Sequence, residues 1–220
     1  MTKLQEIQID KLGDKLKVNY EYETVPIQME SYSRKMQCYS NVRAKIEKDG
    51  GAIHYGWSVH FTEGIIIEAE RHAVWENEEE DLLCVTPHPS GQSELIFFSD
   101  NTPVDPQIQI DNVRMNITGN KIVNDWIYLS NSVGHIYFKY TDRINDDRVN
   151  MEKPVLNVIN QIEKYRDLVM GLIKQNKGDR VNCYCPKGHH EKRKYLNCHS
   201  KFFKNEIPRL LTEIESYSKR

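Results

Sequence analysis

Two groups of cysteines and histidines in this 220-residue chain have types and spacing suited to chemistry. The C-terminal group is Cys183-Tyr184-Cys185-Pro186-Lys187-Gly188-His189-His190, followed by Asn197-Cys198-His199-Ser200. Three thiols and an imidazole are the soft and borderline donors that tetrahedral Zn²⁺ takes, and four of them close its shell. Cys183, Cys185, Cys198 and His199 therefore read as one structural zinc site, with His189 or His190 as alternatives to His199. The chain has five cysteines, an odd number, and three of them fall beside histidines in metal-ligand spacing, which argues against a disulfide framework.

The N-terminal group is Cys38, then Gly51-Ala52-Ile53-His54-Tyr55-Gly56-Trp57, Glu70-Arg71-His72-Ala73-Val74-Trp75, and Cys84-Val85-Thr86-Pro87. A thiol at a helix N-terminus is favoured as thiolate by the unpaired amides and the helix dipole. An imidazole beside it can take and return the proton, provided that a third group holds its ring. The candidate catalytic residues are thus Cys38 as nucleophile, His72 as base and Cys84 at the orienting position. Glu68, Glu70, Thr86 and His88 are further polar candidates near His72. The competing reading is structural: free cysteines are commonly buried as small hydrophobes, and Tyr55, Trp57, Phe61 and Trp75 on alternating strands fit a core.

These residues need elements to position them. Leu16–Tyr22 alternates and predicts a strand, and 33–49 predicts a helix that stops at Gly50-Gly51 with Cys38 near its start. From Ala52 the period becomes two, with Ile53, Tyr55, Trp57, Val59 and Phe61 on one face and His54, Gly56, Ser58 and His60 on the other. Ile65–Trp75 and Leu82–Thr86 predict a hairpin across an acidic loop, in which a symmetric turn sets His72 opposite Cys84. Further strands are expected at Leu95–Phe98, Ile122–Leu129 and His135–Tyr140, with 101–111 as loop. The apolar stripe of Val155, Leu156, Val158, Ile159, Ile162, Leu168, Val169, Leu172 and Ile173 predicts a helix over about 152–177. A short amphipathic tail through Leu210, Leu211, Ile214 and Tyr217 follows the cysteines. The fold class expected is α+β: an antiparallel sheet beside a Cys-bearing helix over 1–177, then a zinc module over 178–220.

The C-terminal segment resembles the SEC-C zinc-binding motif, whose Cys-x-Cys, Gly- and Lys-rich turn and closing Cys-His match Cys183, Cys185, Cys198 and His199. The loop between the pairs is longer than the motif's usual one. The resemblance implies a small module that docks protein partners. Residues 38–88 resemble the transglutaminase-like branch of the papain-like cysteine enzymes, with Cys38 at the nucleophile and His72-Ala73-Val74-Trp75 at the base strand. Where that family has Asp, this chain has Cys84.

Thirty basic against 32 acidic side chains give a formal charge of −2, so no global attraction to nucleic acid or an anionic membrane is expected. Only a local patch, Lys187, Lys192, Arg193, Lys194, Lys201 and Lys204, could touch phosphates. The N-terminus lacks a continuous apolar h-region and no apolar run is long enough to span a bilayer, so a cytoplasmic location is expected. The functional expectation is a thiol-dependent amide or peptide hydrolase, or an acyl transferase, with a protein or peptide substrate and a zinc module for docking. The rival expectation is an inactive binding or adaptor protein whose zinc module contacts a protein partner.

Overall fold

A computed structural model describes residues 1–18, 21–62, 64–88, 90–103, 110–145, 148–178, 180–182 and 193–218. The fold is mixed α+β, with five helices and an antiparallel, nearly closed sheet among the described residues. The chain divides into two compact units, one of residues 1–115 and 142–150, the other of 116–141 and 151–220.

The first unit opens with α1 (Lys3–Leu16), capped by Thr2, whose hydroxyl accepts the Gln5 amide while the Gln5 side chain accepts the Thr2 amide. That reciprocal pair satisfies two amides left over by the first turn. Lys17 closes the helix in the left-handed region (φ 60°). The strand expected over Leu16–Tyr22 is therefore not formed at its start, and β1 begins later, at Glu23–Pro26. Burial of Ile9, Leu12 and Gly13 carries α1 through Leu16, past the start of the alternating pattern.

The sheet runs in the order β1, β5 (Glu94–Ser99), β2 (Ala52–Thr62), β3 (Ile66–Glu76), β4 (Leu82–Leu83), and β6 (Val113–Asn116) also pairs with β3. The ends meet: Ile27 bridges Cys84, whose amide donates to Pro26 O at 2.9 Å and whose carbonyl accepts from the Gln28 amide at 3.0 Å. Curling of this kind puts one side-chain set of every strand inside. Val25, Val74, Cys84, Leu95 and Phe97 form that interior cluster. Gly56 is required there, because a Cβ on it would collide with the Phe97 ring and the Phe98 carbonyl.

The opposite face carries the helices. Helix α2 (Cys38–Asp49) packs Tyr39 and Val42 on Ala73 and Val85, with Cys38, Ile46, Tyr55 and Trp75 around them. It starts at Cys38, so the expected helix loses its first turn, residues 33–37, to a loop. Buried Asn41 straps that loop, accepting from the Arg34 amide at 2.9 Å and donating to Arg34 O at 2.7 Å. On α1, Ile9 and Leu12 are fully buried, and Gly13 sits so close to Phe98 that a Cβ would lie 2.9 Å from the ring.

The β3–β4 hairpin forms as expected, but Trp75 pairs with Leu83 and Glu76 with Leu82. Continuing that register places Cys84 opposite Val74, two pairs from His72 and on the same face. The loop is Asn77–Asp81, one residue later than expected, because Asn77 Oδ1 accepts the amides of Glu79 (3.0 Å) and Asp81 (2.7 Å) and holds both in the turn.

The second unit is helical: α3 (Ile122–Tyr140), α4 (Lys153–Lys174) and α5 (Tyr195–Ser218) pack on one another. The strands expected at 122–129 and 135–140 are instead the single helix α3. Its β-branched and aromatic composition favours strand locally, but burial of Ile122, Val123, Leu129, Val133 and Ile136 along one stripe overrides that preference. Asn120 signals the start, its Oδ1 accepting the Ile122 amide at 3.1 Å. The remaining strands β7 (Asp142–Asn145) and β8 (Arg148–Asn150) form a separate antiparallel pair.

Candidate functional site

The N-terminal candidates divide between the two faces of β3. His72 lies on the interior face, its Nε2 3.3 Å from Cys84 Sγ, and the thiol donates onward to Thr86 O at 3.6 Å. Cys38 lies on the helix-bearing face, packed with Ala73 and Val85. The structure therefore brings His72 and Cys84 together and sets Cys38 among different neighbours. Burial pushes the Cys84 thiol up to about 11 and the His72 imidazole down to about 4. Both are uncharged at neutral pH, so this pair is a hydrogen-bonded core contact between neutral groups.

Beyond His72 the interior face becomes polar. His60 Nδ1 and His88 Nε2 are 3.0 Å apart with the rings stacked, and His60 Nε2 meets Ser58 Oγ at 2.7 Å and Glu70 Oε2 at 3.5 Å. The hydrogen bond from His60 holds the Glu70 carboxyl below its usual range, while burial pushes His88 down. Of these, Glu70 and His88 were visible as polar neighbours of His72 in sequence. His60 was not singled out, because its partner His88 comes from a loop that only the fold returns to β2.

A second polar line crosses the other end of the sheet. His54 on β2 places Nδ1 2.7 Å from Glu76 Oε2 on β3 and Nε2 2.9 Å from Ser99 Oγ on β5. Ser99 Oγ also donates to Glu23 Oε1 at 3.0 Å, and Asn101 Nδ2 lies 3.4 Å from His54 Nδ1. The chain after Ser99 is pinned: the Asp100 amide donates to Tyr55 O at 3.0 Å, and Asp100 Oδ2 accepts from Arg71 Nη1 (2.7 Å) and Trp57 Nε1 (3.0 Å). Arg71 is buried and also donates to the carbonyls of Asp100 and Thr102. Burial acts to raise the Asp100 carboxyl, but the bonds from Thr102, Trp57 and Arg71 outweigh it and hold it low. Sequence alone places His54 on the polar face of β2, but Glu76 and Ser99 lie 22 and 45 residues further along the chain, and only strand register brings them to it.

At the C-terminus, Cys183, Cys185, His189 and His190 lie outside the described residues. Cys198 and His199 stand in the opening turns of α5. His199 is buried, its ring stacked on Tyr195 at 5.3 Å and set against Phe203 at 5.9 Å. Just before the helix, Asn182 bridges Lys194 in antiparallel fashion, and the Tyr195 amide donates to Val181 O at 2.8 Å. The bridge ties the residue preceding Cys183 to the start of the helix that carries Cys198 and His199. A four-donor set of three thiols and one imidazole fits Zn²⁺ chemically, and that tether fits its two halves meeting. Among the described residues alone, no group of three His, Cys, Asp or Glu side chains is arranged to hold a metal ion.

Comparison with protein-family models, with curated proteins and with solved structures found no match. No described helix is long and apolar enough to cross a membrane. Function has to be argued from the residues themselves.

Proposed function

We propose that this chain is a binding protein in which Cys183, Cys185, Cys198 and His199 hold a structural zinc ion and the module around it docks a protein partner. The observation that carries the choice over a thiol enzyme is the separation of the N-terminal candidates. Cys38, the first residue of α2, packs with Ala73 and Val85, while His72 is engaged by Cys84 on the other face of β3. A general base must reach the proton it removes, within a hydrogen bond or through one water. The zinc reading is supported by the donor set and by the Asn182–Lys194 bridge that brings the segment back to α5.

The test is the pH dependence of iodoacetamide labelling at Cys38, read by mass spectrometry in the wild type and in His72→Ala. Labelling that tracks an ordinary thiol near pH 8.5 and ignores His72 is the outcome expected of a binding protein. Fast labelling well below that pH, slowed by the His72 change, would restore the hydrolase or acyl-transferase reading with Cys38 as nucleophile.

A further inference from the structure

The line Ser99–His54–Glu76 has the atom order of an acyl-transfer relay: hydroxyl oxygen to Nε2 at 2.9 Å, Nδ1 to carboxylate at 2.7 Å. We propose that the first unit carries a serine hydrolase site for short-chain carboxylic esters, with Ser99 as nucleophile, His54 as general base and Glu76 as the group that fixes the imidazole. This goes beyond the zinc-docking reading and uses neither Cys38 nor His72.

Three observations support it. The three side chains sit on adjacent strands, β5, β2 and β3, and not on loops, so their geometry is held by sheet pairing. Ser99, His54 and Glu76 each keep partial exposure at the end of the sheet, so a small ester can reach the relay from solvent. Finally, the backbone after Ser99 is held by Arg71, Trp57 and Tyr55, which fixes the main chain that carries the hydroxyl.

The chemistry balances without a cofactor. Ser99 Oγ attacks the ester carbonyl carbon, forming the Oγ–C bond, as His54 Nε2 takes the hydroxyl proton. Collapse breaks the bond to the leaving alcohol, which departs with that proton. Water then attacks the acyl carbon, gives a proton to His54, and the Oγ–C bond breaks to release the carboxylic acid and restore the Ser99 hydroxyl. In the resting structure Glu23 competes for the Ser99 proton, so Glu23→Gln should raise the reactivity of Ser99.

The experiment treats the full chain with a fluorophosphonate probe and maps the adduct by mass spectrometry, alongside hydrolysis of p-nitrophenyl acetate. The expected result is one adduct, on Ser99, with labelling and hydrolysis abolished in Ser99→Ala and slowed at least about 100-fold in His54→Ala. Glu76→Gln should slow both about 10-fold or more while leaving the circular dichroism spectrum unchanged. Absence of an adduct on Ser99 in the wild type overturns the proposal whatever the variants do. So does an adduct that forms as fast in a folded His54→Ala as in the wild type.

Discussion

His72 Nε2 and Cys84 Sγ face each other at 3.3 Å on the inside of the sheet, and neither carries charge at neutral pH. A thiol held near 11 is about 0.1% thiolate at pH 8, against roughly a quarter for a free cysteine. Only the thiolate alkylates. Cys84 should therefore label with iodoacetamide at least about 100-fold more slowly than a small free thiol at pH 8, and should become reactive only on unfolding. Mass-resolved labelling with and without urea measures this directly; rapid labelling of Cys84 in the folded protein would show that the pair is not buried in solution.

The same pair makes the fold acid-sensitive. Folding lowers the His72 imidazole from its ordinary 6.5 to about 4, so between those values the unfolded chain binds a proton that the folded one excludes. Stability is then fully present above about pH 6.5 and is lost as the pH falls towards 4. For a partly buried ring the loss is on the order of 2 kcal/mol. Glu70, held low by His60, adds a loss of the same sign at more acidic pH. Urea midpoints at pH 7 and pH 4.5 should differ in the wild type and differ less in His72→Gln, where His88 and Glu70 still titrate. A wild-type midpoint that is flat over that interval would contradict the burial of His72.

The strongly patterned parts of this fold were legible in the sequence, and the parts set by long-range register were not. The eleven-residue alternation of β2, the β3–β4 hairpin and the α4 stripe each announce themselves within one window. Helix α3 does not, because Val, Ile, Tyr and a central Gly134 spell strand and break until α4 and α5 cover one face. The functional candidates follow the same division. His72 and Cys84 share a hairpin and could be paired on paper, even though the loop starts at Asn77, one residue later than expected. Cys38 could not be assigned to a face, since the choice between the two sides of β3 depends on where α2 docks. Ser99 meets His54 only because β5 pairs with β2 out of sequence order.

Gly56 tests the closed interior. The Phe97 ring and the Phe98 carbonyl occupy the space a Cβ would need, and one of these is backbone of the neighbouring strand. Relief requires β5 to move away from β2 or Phe97 to leave its fully buried position. Overpacking of this kind costs about 1–3 kcal/mol, and a backbone clash sits at the upper end. Gly56→Ala should lower the urea midpoint accordingly, and Gly56→Ala with Phe97→Leu should recover part of the loss. A Gly56→Ala protein as stable as the wild type would mean that β2 and β5 are not paired as described.

Buried Arg71 and half-buried Asp100 make an ion pair whose two members respond differently to substitution. Arg71 gives bonds to the Asp100 carboxylate and to the carbonyls of Asp100 and Thr102. Removing Arg71 leaves those acceptors and a low-lying carboxylate without their cation, and breaking a buried pair from one side costs about 3–5 kcal/mol. Arg71→Met should therefore destabilise more than Asp100→Asn, which keeps a group able to accept from Trp57 and Arg71. Chemical denaturation of both variants decides this; equal losses would point to the charge of Asp100, and not to the carbonyl contacts of Arg71, as the main contribution.

Metal content gives the C-terminal segment a sharp test. If Cys183, Cys185, Cys198 and His199 close a tetrahedral shell, the purified chain carries one zinc per molecule, and Cys198→Ser reduces it to near zero. His199→Ala separates the two readings of the fourth ligand. Loss of zinc assigns the position to His199, whereas retention, with loss in His189→Ala or His190→Ala, assigns it to the loop. The buried stacking of His199 on Tyr195 means that its replacement also removes core packing, so zinc stoichiometry and thermal unfolding must be read together. Chelation should lower the melting temperature of the wild type, because metal binding to the folded form is folding free energy. It should leave the melting of Cys198→Ser unchanged. A chain that purifies without zinc and melts identically with and without chelator would remove the zinc, and with it the docking reading built on it.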